Sequence, residues 1–136
     1  MPNSNPVSAV QKTTLSEIGK DLADKFEVIA WGAPGTEANN KIVVALQLKN
    51  LLGDDLPVKD RIRLTSSDGA TMTLAAAGNG TVLAGDQSDD IIIETDDGVF
   101  DLEVTYTQAG TVSVAGGATQ GSGYIACQEP VDLTFA

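Results

Sequence analysis

The side chains best equipped for chemistry in this chain are acidic and come in adjacent pairs: Asp54-Asp55, Asp89-Asp90 and Asp96-Asp97. Hard cations take clustered oxygens, so calcium binding is open to such pairs if loops bring them together. None of them follows the alternating Asp-x-Asp/Asn-x-Asp/Asn-Gly spacing of a calcium loop, and solvated turns are the simpler reading. Two carboxylates can also cleave a glycosidic bond, but that reaction needs a cleft with aromatic or polar sugar contacts. Trp31, Tyr106 and Tyr124 are the only polar-tipped aromatics available for one. There is no histidine, which removes Ser-His-Asp and Cys-His sites, an imidazole base near neutral pH and histidine-ligated zinc. The single cysteine, Cys127, cannot form an internal disulfide and alternates with Ile125, as a small buried hydrophobe would. The string Gly121-Ser122-Gly123-Tyr124-Ile125-Ala126 matches a dinucleotide fingerprint in letters only, since the fingerprint needs a strand before it and a helix after it. Asn79-Gly80-Thr81 has the form of a glycosylation sequon and reads as a turn. From these residues we expect no catalytic centre, no cofactor and no metal.

Charge and length narrow the classes further. The 136 residues carry 19 acidic and 8 basic side chains, a net charge of -11. No basic cluster is present to release counterions from a phosphate backbone, so neither nucleic acid nor an anionic membrane is an expected partner. Residues 1–14 lack the basic and apolar regions of a secretory signal, which predicts a cytoplasmic product. The longest apolar runs, such as 42–46 and 74–77, suit buried strands and fall far short of a membrane-spanning helix. A chain of this length can bury roughly two-thirds of its unfolded surface in one core.

The elements that must position any site divide the chain at residue 26. Residues 1–25 are expected to form an N-terminal arm with a short helix. Pro2 and Pro6 sit among polar residues, and Thr14-Leu15-Ser16-Glu17 has capping-box spacing. Leu15, Ile18, Leu22 and Phe26 then recur on one helical face, although Gly19 weakens it by about 1 kcal/mol. Residues 26–136 change to a period of two and read as a β-sandwich domain. Strands are expected at 26–31, at Ile42, Val44, Leu46 and Leu48, at Ile62 and Leu64, and at Met72 and Leu74. Ile91-Ile92-Ile93 is apolar on both faces and predicts a central strand. Phe100, Leu102, Val104 and Tyr106 form a core face against Asp101, Glu103, Thr105 and Thr107. Ala109-Gly110 reads as a hairpin turn into Val112 and Val114; Tyr124 to Cys127 and Val131, Leu133 and Phe135 follow. The candidate partner contacts are Val7, Val10, Leu15, Ile18 and Trp31.

Residues 42–117 resemble the bacterial immunoglobulin-like modules of invasin-type adhesins and tailed-phage virion proteins. The resemblance lies in the strand ending Leu48-Lys49-Asn50, the turn Gly53-Asp54-Asp55-Leu56-Pro57-Val58 and the following Ile62-Arg63-Leu64. It continues in Thr95-Asp96-Asp97-Gly98 leading into Phe100-Asp101-Leu102-Glu103-Val104. Against the antibody pattern Asp-x-Ala-x-Tyr-x-Cys, phenylalanine replaces the corner tyrosine and leucine the cysteine, so neither the corner hydrogen bond nor the inter-sheet disulfide can form. In overall character, acidic, rich in Gly, Thr and Ala, with a polar arm, the chain resembles phage head decoration (cement) proteins. That resemblance implies an immunoglobulin-like β-sandwich on the outside of a virion, a major capsid protein as partner and a homotrimer. A module of a phage tail protein or a bacterial adhesin is the alternative it leaves open.

Overall fold

The computed structural model describes residues 26–76, 79–117, 124–126 and 129–136. The strands among them are β1 (Phe26–Trp31), β2 (Lys41–Asn50), β3 (Asp60–Ser66), β4 (Thr71–Leu74), β5 (Gly80–Ala84), β6 (Asp90–Thr95), β7 (Val99–Thr105), β8 (Gly110–Gly117), β9 (Tyr124–Ala126) and β10 (Val131–Phe135). They form two five-stranded sheets, ordered β4-β7-β2-β1-β9 and β10-β8-β3-β6-β5. Neighbours run antiparallel except β1 and β9, which are parallel. The described chain is thus an all-β sandwich.

Alternation decides which side chains meet between the sheets. In the first sheet Ile42 lies opposite Val104, Val44 opposite Leu102 and Leu46 opposite Phe100. In the second, Ile62 lies opposite Ile93 and Leu64 opposite Ile91. All ten are buried and join Ile29, Leu48, Met72, Val112, Val114, Leu133 and Phe135 in one core. Tyr106 ends its row half-buried, its ring edge-on to Phe135 at 5.6 Å. Ile91-Ile92-Ile93 falls on β6, which is flanked on both sides by β3 and β5, with Ile92 only half-buried on the outer face.

Two local expectations are corrected. Residues 79–81 do not simply turn, since Gly80 and Thr81 open β5, an edge strand. This strand lacks alternation because it is largely exposed and its pairing with β6 is irregular between Val82 and Ala84. At Ala109-Gly110 no hairpin forms. Both edges of β7 are occupied, by β4 and β2, so the chain crosses to the other sheet, where β8 pairs with β3 and β10. A short glycine-containing link looks the same in sequence whether the flanking strands pair or part. The expected helix over Leu15, Ile18 and Leu22 lies outside the described residues; Phe26, the last member of that stripe, is the first residue of β1.

One end of the core is polar. Glu27, Asn50, Asp60 and Thr95 are buried on the inward phase of β1, β2, β3 and β6. Register sets Glu27 beside Asn50 in one sheet and Asp60 beside Thr95 in the other.

Candidate partner-binding surface

Trp31 closes β1, and beyond it the chain keeps close to β2 without forming a regular ladder. The Gly32 amide donates to the Ala45 carbonyl at 2.9 Å and the Gly35 amide to the Val43 carbonyl at 2.8 Å. A Cβ on Gly32 would lie 3.3 Å from the Ala45 Cβ, so glycine here permits the close approach. Small residues at facing positions leave a shallow depression of about 410 Å³ beside Trp31, with Gly32, Ala45, Gln47, Lys49 and Asp55 among its lining. The Trp31 side chain is half-buried against the core, and its Nε1–H donates to the Glu129 carbonyl at 3.2 Å, tying the end of β1 to the segment before β10. On one rim Lys49 Nζ meets Asp55 Oδ1 at 2.7 Å. Val43, in phase with Ala45 and Gln47 on the outward side of β2, adds exposed apolar surface.

A second apolar projection is the tip after β2. The buried Asn50 accepts the Leu52 and Asp54 amides on its Oδ1, at 2.9 and 3.0 Å, while Leu51 and Leu52 stand 55% and 70% exposed. An Asx-type turn thus holds two leucines in water.

Around these features the surface is anionic. Each described basic side chain is already matched with an acid: Lys41 with Glu103, Lys49 with Asp55, Lys59 and Arg61 with Glu94, and Arg63 with Asp90. The Arg63 hydrogen bonds hold the Asp90 carboxyl below its ordinary range, and Arg61, with Lys59, does the same to Glu94. Such exposed pairs add little stability. Their consequence is that no described cation offers its charge unmatched to a partner.

The paired aspartates do not converge. Asp55 is engaged by Lys49 and Asp90 by Arg63, while Asp97 accepts the Val99 amide within its own turn. Among the described residues no group of three or more acids or cysteines is placed to hold a metal ion. The last three residues of the glycine-rich string form β9, a strand where a dinucleotide fingerprint requires a helix. Of the candidate contacts, Trp31 lines the depression, whereas Val7, Val10, Leu15 and Ile18 lie outside the described residues, as does Cys127.

The carboxyls that do converge are ones the sequence reading passed over. Glu27 and Asp60 are only 6% and 4% exposed and lie close enough for a proton on one carboxyl to be shared with the other. Burial, then hydrogen bonding through that proton and the Asp60 charge, push the Glu27 pKa up to about 8. A signal existed: Asp60 is in phase with Ile62 and Leu64, and Glu27 with Ile29, so both strands carry a carboxyl on their core-facing side. Compared with known proteins, the chain matches no family model and no curated protein.

Proposed function

We propose that this protein is a structural virion component that binds the outer surface of a tailed-phage capsid and stabilises it, as a homotrimer, without catalytic activity. The observation that carries this reading is the Trp31 depression, a small-residue recess beside a half-buried aromatic on an anionic surface. A recess of this kind can seat an apolar or aromatic side chain of a partner, the usual anchor of a protein interface. The surrounding charge restricts the partner to one whose face is apolar or basic, because acidic surfaces would repel. A rigid sandwich with self-complementary surfaces is what a shell clamp needs, and no acid-base machinery is required of it.

The alternative, an immunoglobulin-like module of a tail protein or adhesin, draws on the sheet order. The neighbours β4-β7-β2-β1 facing β10-β8-β3 correspond to D-E-B-A facing G-F-C in immunoglobulin domains. The β5-β6 hairpin, which follows β4 and adds to β3, departs from that plan. In this correspondence β7 takes the E position, so residues 96–102 are not the counterpart of the antibody corner on strand F. The same body suits both readings, and binding separates them. Co-sedimentation with undecorated expanded capsids should show saturable attachment of the wild-type chain, reduced about tenfold or more by Trp31→Ala. Absence of wild-type binding would reject decoration and favour the tail or adhesin module.

A further inference from the structure

Glu27 and Asp60 come from opposite sheets and meet at the polar end of the core. Each has one buried oxygen, Glu27 Oε2 and Asp60 Oδ2, that finds no hydrogen-bond partner when both groups are treated as carboxylates. The other Asp60 oxygen, Oδ1, accepts the Arg61 amide at 2.7 Å. A single proton shared by the two carboxyls would supply the donor that neither carboxylate has. Two unprotonated carboxylates in the same place would instead repel with little water to screen them.

The charged groups nearby do not change this balance. Arg61 on β3 and Lys59 just before it are directed to Glu94 on the outer face of β6. On β2, Lys49 is held by Asp55. Thr95 and Asn50, the inward neighbours, are neutral and already engaged: Thr95 Oγ1 accepts the Gly98 amide and donates to the Val99 carbonyl, and Asn50 Oδ1 holds the tip turn. Among the described residues no cation faces the pair.

We propose that Glu27 and Asp60 form a proton-operated latch between the two sheets, closed while they share one proton and released when that proton is lost. The latch sits at the end that carries the Leu51-Leu52 tip, because Asn50 belongs both to the polar layer and to the tip turn. Loss of the proton therefore loosens the start of β1 and of β3, together with the base of that tip. The sign follows from a carboxyl whose folded pKa is raised from 4.5 to about 8. Its stabilisation is complete below about pH 4.5, declines as pH rises, and is lost through pH 8.

The test uses the full chain. Carbon-detected NMR of side-chain carboxyls from pH 4 to 9.5 should show the Glu27–Asp60 pair completing its titration near pH 8. Amide exchange, corrected for its intrinsic pH dependence, should show the Val28 and Arg61 amides losing at least tenfold protection between pH 6.5 and 9, while those of Leu102 and Val104 hold. Glu27→Gln, which keeps a donor for Asp60 and carries no charge, should abolish the local loss. If that variant does not fold, the wild-type titration and exchange still decide. Completion of the pair's titration below pH 6, or uniform exchange across both ends, would overturn the latch. So would millimolar calcium converting the pair to a fully ionised state at pH 6, which would make it a cation site.

Discussion

At position 98 the chain needs both a left-handed backbone and the absence of a side chain. Gly98 has φ of 84°, and a Cβ there would overlap the Leu56 carbonyl oxygen. Its own carbonyl accepts the Leu48 amide at 2.8 Å, and its amide donates to the buried Thr95 hydroxyl at 3.0 Å. One residue thus fixes the passage from β6 to β7 and pins it to β2. Gly53 has a similar φ of 87° but open space around it, so it isolates the backbone cost. Gly98→Ala should destabilise by about 3 kcal/mol, backbone strain and overlap together, and Gly53→Ala by about 1 kcal/mol. Urea midpoints check this; equal losses would mean that the contact with Leu56 does not constrain the turn. Thr95-Asp96-Asp97-Gly98 stands out in the sequence as a corner, but the clash that makes its glycine obligatory depends on where Leu56 arrives, which no local pattern contains.

Among the elements, β2 and β7 show how far alternation carries. Both were legible because one phase is apolar and the other mixed, and the register opposes the two apolar phases over three successive pairs. On β7 Leu102 is fully buried, while Glu103 points outward to Lys41 at 3.2 Å. Leu102→Asp should cost about 4 kcal/mol by placing an unpaired charge in the core, whereas Glu103→Gln should cost about 0.5 kcal/mol or less, the worth of an exposed ion pair. Similar urea midpoints for the two variants would contradict the register. Alternation failed where burial is not one-sided. β5 has exposed residues on both phases, and the link at Ala109-Gly110 gives no sign of which sheet its second strand joins. The candidate surface was half legible in the same sense. Trp31 is conspicuous by type, but the recess beside it depends on Gly32 meeting Ala45 across the sheet, a product of register.

For the whole molecule, charge is the property that composition already fixed and that the fold then organised. The net charge of -11 makes purely electrostatic attraction between copies unfavourable, and pairing of every described cation leaves no basic patch among the described residues to offset it. Under the proposed function, contact between copies would therefore rest on apolar and hydrogen-bonding surface, with charge acting to exclude acidic partners. A protein that binds an assembled shell and not its dissociated subunits raises the shell's stability by mass action. The most direct measurement is the thermal rupture temperature of undecorated expanded capsids titrated with the purified protein. The proposed function predicts an increase that saturates at a fixed ratio of protein to capsid subunits. An unchanged rupture temperature at saturating concentration, with the protein itself still folded, would contradict it.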